Sequence, residues 1–158
     1  MGTQKDDVRR GRRSASSAVG IREATPADAA PISELLGELE YPSTPEQAAE
    51  RLGRIAEDPS TLVLVAELEG EVAGFGALHV QNLVERDDLG FEVAGLVVGE
   101  RFRRRGVGEA LMAALEEEAR ARGGEVMVLN TAHRRADAHA FYEALGYDHT
   151  GRRYAKSL

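Results

Sequence analysis

Phe91-Glu92-Val93-Ala94-Gly95-Leu96-Val97-Val98-Gly99-Glu100-Arg101-Phe102-Arg103-Arg104-Arg105-Gly106-Val107-Gly108-Glu109-Ala110-Leu111 is the stretch that decides the reading of this chain. It opens as an apolar strand from Phe91 to Val98. Four arginines follow within Arg101–Arg105, then Gly106 and Gly108, which open an amphipathic helix with Val107, Leu111 and Leu115 on one side. A strand, a glycine-bearing turn and a helix start make a phosphate cradle. Glycine lets backbone approach the ligand, unpaired amides at the helix start point at the anion, and arginines add charge.

Outward from this centre, the helix predicted over 106–122 carries Glu116/Arg120 and Glu118/Arg122 pairs and stops at Gly123-Gly124. The run Glu125 to Asn130 is short and nearly all apolar, and reads as a parallel strand buried on both faces. Strand 91–98, helix 106–122 and strand 125–130 thus form a right-handed βαβ unit. A last helix is expected from about Arg135 to Leu145, capped by Gly146, with a pair of short strands between Tyr147 and Leu158. Upstream, Ile21-Arg22-Glu23 reads as a strand. Thr25-Pro26-Ala27-Asp28 and Thr44-Pro45-Glu46-Gln47 are two helix-start signals. Thr61–Leu68 and Val72–Val80 form a hairpin around Glu69-Gly70-Glu71, followed by a polar, acidic loop from Gln81 to Leu89.

Composition narrows the function. The chain has 158 residues, enough for one domain over 21–158. Residues 1–20 are rich in Arg, Ser and Gly and read as a disordered leader without the apolar core of a secretory signal. No cysteine is present, which excludes disulfides, a cysteine nucleophile and thiolate metal sites. The histidines show no close metal-ligand spacing, so no metal is expected. No apolar run approaches a membrane span, and the expected setting is cytoplasmic, without a membrane partner. Net charge is −7; Lys5, Arg9, Arg10, Arg12 and Arg13 against Asp6 and Asp7 leave the leader three positive, so the remainder carries ten negative charges. An acidic body argues against nucleic acid and suits a small cationic partner, although charge of this size also serves plain solubility.

Three phosphate loops compete for the arginine turn. The triphosphate-binding GxxxxGK[ST] loop fails because no Gly-Lys pair exists. The dinucleotide fingerprint needs a small residue where Leu111 stands. The pattern [Q/R]-x-x-G-x-[G/A] fits Arg103-Arg104-Arg105-Gly106-Val107-Gly108. Together with the Leu96-Val97-Val98 strand end, the Val126–Asn130 strand and the block His133-Arg134-Arg135-Ala136-Asp137-Ala138-His139-Ala140-Phe141-Tyr142-Glu143-Ala144-Leu145-Gly146-Tyr147, the chain resembles the GNAT superfamily of acyl-CoA-dependent N-acyltransferases. The resemblance spans roughly residues 21–158.

The resemblance implies an α+β fold: a central, mixed, mostly antiparallel twisted sheet with about four helices, whose parallel βαβ unit forms the CoA site. It implies acetyl-CoA as co-substrate. The pyrophosphate would lie on the turn formed by Arg103, Arg104, Arg105, Gly106, Val107, Gly108 and Glu109, and pantetheine along Leu96, Val97 and Val98 and near Asn130. It assigns Tyr142 as the acid that protonates the departing thiolate, where the residue alone would read as core tyrosine. It offers Glu92 as the base, where the residue alone would read as a salt-bridged strand glutamate. Glu40, Glu85, Asp87 and Asp88 would flank the acceptor groove, or serve only loop solubility. One departure is Arg135, where many relatives carry Asn seven residues before the tyrosine. The implied reaction is transfer of acetyl to a primary amine of a small molecule, by direct attack. The HRRADAHAFYE block is similar to enzymes for aminoalkylphosphonates and some aminoglycosides. A protein N-terminal or lysine acceptor, and an acyl-CoA-binding regulatory domain without turnover, are the alternatives. A homodimer would follow by analogy alone.

Overall fold

The computed structural model describes residues 18–131 and 136–158. The leader up to residue 17, and His133, Arg134 and Arg135, lie outside the described residues. The elements run β1 (Gly20–Glu23), α1 (Ala29–Glu38), α2 (Pro45–Ala56), β2 (Thr61–Leu68), β3 (Glu71–Asn82), β4 (Leu89–Val98), α3 (Val107–Ala121), β5 (Met127–Leu129) and α4 (Ala136–Ala144). One five-stranded sheet has the order β1-β2-β3-β4-β5. All neighbours are antiparallel except β4 and β5, which are parallel and joined through α3. This is the expected mixed α+β sheet with four helices and a βαβ unit.

Local chemistry starts α2 where the sequence says, and the signal at Thr25 opens a short turn just ahead of α1. Thr44 and Gln47 exchange side-chain-to-amide bonds at 3.0 and 3.2 Å, a reciprocal cap on α2. Ahead of α1, Pro26–Asp28 form a 3-10 turn, and Asp28 accepts from the Thr25 amide at 2.8 Å. The same buried carboxylate takes both guanidinium nitrogens of Arg22 at 2.9 and 2.8 Å, tying β1 to the entry of α1. The hydrogen bond to Arg22, above all, holds the Asp28 carboxyl below its ordinary range.

Alternation along the strands divides the core. Leu62, Leu64, Ala66, Leu78, Phe91 and Val93 pack against Leu111, Met112 and Leu115 of α3. Val63, Val65, Phe75 and Val97 pack against Ile32, Leu35, Ala48 and Leu52 of α1 and α2 on the other side. The parity of β4 changes midway. Gly95 opposes Ala77 while Val93 opposes Leu78, so Ala94 is an extra residue, a β-bulge. Before it, Phe91 and Val93 face α3. After it, Leu96 and Val98 do, and Val97 faces the opposite core.

Two expectations are corrected. β5 is not buried on both faces: Val126 and Val128 are 57% and 47% exposed. It pairs only with β4, over three residues, and is the sheet's edge among the described residues. An apolar run shows a preference for burial but not whether a neighbour exists to provide it. The segment 147–158 forms no strands, and residues 148–158 are exposed throughout. No helix of the structure is long and apolar enough to cross a membrane, and no group of three metal-ligating side chains comes together among the described residues.

Candidate active site

Strand β4 outruns its neighbour. Only Phe91–Val93 pair with β5, so beyond the bulge Gly95–Val98 have β3 on one side and no strand on the other among the described residues. The Gly99 amide donates to Ala73 of β3 at 2.9 Å. Backbone groups alternate along a strand, so Val97 also turns toward β3 while Leu96 and Val98 turn their amides and carbonyls to the open side. The Val98 carbonyl accepts from Nε of Arg103 at 3.3 Å across that side. Two of the three strand residues singled out from sequence, Leu96 and Val98, therefore turn backbone to the open side, where Arg103 already meets the Val98 carbonyl, and Val97 serves the core.

The open edge leads through a 3-10 turn (Glu100–Phe102) to α3. Arg104 and Gly106 take left-handed backbone, φ +58° and +80°. Gly106 needs no side chain there, whereas Arg104 bears a modest steric cost. The first helical bond is from Ala110 to Gly106, so the amides of Val107, Gly108 and Glu109 have no helical partner. Gly106 at the N-cap has no side chain to cap them. The helix dipole adds positive potential at the same place.

The arginines differ sharply in their partners. Arg101 pairs with Glu71 and Arg105 with Glu69, both at the β2–β3 turn. Both guanidinium groups also lie over the Phe102 ring, at 4.6 and 5.9 Å. Arg103 approaches Glu38, the last residue of α1, at 3.8 Å. Glu38 also accepts from the Glu100 amide at 3.0 Å. Arg104 has no carboxylate partner among the described residues. Glu69 itself sits at φ +57°, an unusual place for a residue with a Cβ, and its carboxylate moors the turn. These clamps escaped the sequence reading because partners stand 30 and 36 residues apart.

Helix α4 is held against this turn. A Cβ on Gly108 would stand 3.1 Å from the Phe141 ring, so α3 and α4 meet where Gly108 has no side chain. Tyr142 is half-buried and packs edge-on with Phe141 at 5.2 Å and Tyr147 at 6.1 Å. Gly146, at φ +91°, closes the helix: its amide bonds Glu143 and that of Tyr147 bonds Tyr142, at 3.0 Å each. The Tyr147 hydroxyl donates to Glu116 at 2.9 Å. Burial, then that bond, push its pKa well above the ordinary tyrosine value, which gives it a structural role and keeps it protonated.

On the sheet face below the bulge, Glu92 lies between His79 of β3 and Val128 of β5. Asn130, just past β5, donates from Nδ2 to Oε1 of Glu92 at 2.8 Å. Two separately chosen candidates are thus direct partners. His79 was not singled out, although its place opposite Glu92 follows once the hairpin and the bulge are known. Of the loop carboxylates, Asp88 is taken in a bidentate pair by Arg86 at 2.7 Å, which lowers its pKa. Glu40 sits at φ +64° in the α1–α2 connection.

An open strand edge ending on helix amides without helical partners, beside a tyrosine on a docked helix, has the shape and polarity that suit an extended ligand with an anionic group. The family model described as "Acetyltransferase (GNAT) family" matches residues 29–147. The chain belongs to the GNAT acetyltransferase family. It is an acyltransferase of the N-acetyltransferase type. The chain is 36% identical to an aminoalkylphosphonate N-acetyltransferase of Salmonella typhimurium, over 87% of this chain and 90% of the relative. It is 30% identical to an aminoglycoside N(6′)-acetyltransferase type 1 of Stenotrophomonas maltophilia, over 87% and 91%. Among solved structures, an aminoglycoside N-acetyltransferase in complex with CoA superimposes with a TM-score of 0.78 at 20% identity, over 90% of this chain and 95% of that one. A Bacillus halodurans protein titled a transcriptional regulator gives 0.82 at 23%, over 89% and 100%, and shows the shared GNAT fold.

Proposed function

We propose that this GNAT enzyme transfers the acetyl group of acetyl-CoA to a primary amine of a small molecule, by direct attack within a ternary complex. The observation that carries the reading is the continuity of the open β4 edge with the unpaired amides of α3. Leu96 and Val98 offer a hydrogen-bonding edge for the amide-bearing pantetheine arm. The amides of Val107, Gly108 and Glu109 suit the pyrophosphate, with Gly106 shaping the approach. Arg104 is the cation available to phosphate. Arg103 lies at the junction of strand and turn, and Arg105 braces the turn through Glu69.

The chemistry follows from what acyl transfer requires. Glu92 takes a proton from the ammonium form of the acceptor, and the neutral nitrogen attacks the thioester carbonyl carbon. The tetrahedral adduct collapses with loss of the CoA thiolate, which takes a proton from the Tyr142 hydroxyl. The tyrosinate is then reprotonated from solvent. Tyrosine, with an ordinary pKa of about 10, stays protonated at neutral pH and can supply that proton to the sulfur as negative charge develops there. With no cysteine, a thiol-bound acyl-enzyme has no residue to form on.

Two curated relatives, whose names specify an aminoalkylphosphonate and an aminoglycoside, support a small amine over a protein amine. The acidic body suits a cationic acceptor. Calorimetry with acetyl-CoA, followed by thiol release against aminoalkylphosphonates, aminoglycosides and lysine or N-terminal peptides, tests the reading. Binding with release for a small amine is expected. Release only for peptides would move the acceptor to protein, and binding without release for any amine would favour a regulatory domain.

A further inference from the structure

Beside Glu92, the sheet carries a row of polar groups that the reaction above does not use. Thr61 of β2 opposes His79 of β3, and His79 opposes Glu92 of β4. All three therefore project from the same face. The Thr61 hydroxyl donates to Oδ2 of Asp58 at 3.2 Å, and its oxygen lies 3.2 Å from Nδ1 of His79. Asp58 is fixed in turn by the Ser60 amide and hydroxyl, at 2.9 and 2.7 Å. A threonine hydroxyl has one proton, and a carboxylate can only accept. Both contacts are hydrogen bonds only if Thr61 gives its proton to Asp58 and receives one from Nδ1–H of His79. That fixes the neutral imidazole with its proton on Nδ1 and a bare lone pair on Nε2. Asp58 reaches the ring through Thr61, from the turn before β2, and Glu92 of β4 is the ring's cross-strand neighbour without a direct hydrogen bond to it. Across the same carboxylate, Asn130 occupies Oε1. Glu92 is thereby anchored toward the end of β5, with His79 next to it in register on the β3 side.

We propose that Asp58, Thr61 and His79 form a proton relay behind Glu92, with His79 as a positioning residue that drains the base between turnovers. The proposal rests on Glu92 being the base. Glu92 takes one proton from the ammonium group of the acceptor. That proton passes through one solvent water to Nε2 of His79, giving an imidazolium whose Nδ1–H stays on Thr61, and Glu92 returns to carboxylate. The imidazolium then releases one proton to solvent. Nothing is oxidised or reduced, and the proton lost by the acceptor is the one that solvent gains.

His79→Asn separates this role from a structural one, because an asparagine amide can replace Nδ1–H toward Thr61 while offering no base at the Nε2 position. In that variant kcat/KM for the amine should fall about tenfold or more near neutral pH. One ionisation should disappear from the acid limb of its pH profile, with the dissociation constant for acetyl-CoA and the melting temperature unchanged. Thr61→Val should produce a smaller loss. Independently of activity, nitrogen-15 NMR of the neutral wild-type ring should show protonated Nδ1 and bare Nε2, and Thr61→Val should release that preference. A wild-type pH profile in His79→Asn, or a ring protonated on Nε2 in the wild type, would overturn the relay. Loss of thiol release in the wild type with every amine would instead overturn the reading of Glu92 on which it stands, and the relay with it.

Discussion

Asn130 and Glu92 stand 38 residues apart and meet at 2.8 Å, side chain to side chain, across the parallel β4–β5 seam. The bond occupies one of the two carboxylate oxygens and fixes the group. A base must be aimed as well as charged, so the pair predicts separable effects. Glu92→Gln should lower kcat/KM for the amine by about a hundredfold or more. Asn130→Ala, which keeps the carboxylate but frees its rotation, should lose about tenfold, measured by thiol release at saturating acetyl-CoA. Equal losses would mean that Asn130 does more than aim Glu92.

Tyr142→Phe removes one hydroxyl from a ring already held edge-on by Phe141 and Tyr147. Packing survives the change. Turnover should fall by about a hundredfold while the calorimetric affinity for acetyl-CoA stays within about twofold. Unchanged turnover would remove the acid role.

Gly108→Ala tests how α4 is placed without altering a reacting group. The new methyl carbon would stand 3.1 Å from the Phe141 ring. The ring must give by a few tenths of an ångström, and it carries Tyr142 with it. A loss of about 1 kcal/mol of stability in denaturant unfolding is expected. A loss of turnover exceeding that of acetyl-CoA affinity should accompany it. Gly108→Ala with wild-type kinetics would show that the acid tolerates displacement.

The arginine clamps and Arg104 should respond in opposite ways. Arg104→Ala should weaken acetyl-CoA binding and flatten its salt dependence, since a phosphate-facing charge is lost. Arg105→Ala and Glu69→Ala remove either half of an exposed pair, whose coupling in a double-mutant cycle on stability should be below about 1 kcal/mol. If Arg104→Ala binds as wild type, the phosphate contact lies elsewhere on the turn.

Acid should loosen the entry to α1. Asp28 titrates below the ordinary carboxylate value because Arg22 holds its charged form, so the unfolded chain takes up this proton at higher pH than the folded one does. Its contribution is complete above the unfolded value and is lost as pH falls through the folded value. Melting temperatures followed from pH 5 downward should drop more steeply in the wild type than in Asp28→Asn. The variant should begin lower by about 2 kcal/mol. Parallel curves would deny the linkage.

The order of elements was legible because helix caps and apolar periodicity are local signals. Thr44 and Gln47 lie three residues apart and cap each other as that spacing requires. The turn at Arg103–Gly108 was legible for the same reason. Non-local relations were not. Nothing near Arg105 announces Glu69, and nothing near Glu92 announces His79. The exposure of Val128 depends on a neighbouring strand, and its absence leaves no local mark. The bulge was half-visible: apolar residues at 91 and 93 followed by 96 and 98 break a period of two, which one extra residue at Ala94 explains.

The alternation of β4 beyond that bulge sets a rhythm in time as well as in space. In the unliganded protein, the Leu96 and Val98 amides face open space and should trade hydrogen for deuterium quickly, while Val97 between them, turned toward β3, trades slowly. An extended molecule seated along the edge would slow the first two and leave Val97 as it was. A footprint on every second residue would therefore reveal strand-like capture even for a molecule that is never turned over.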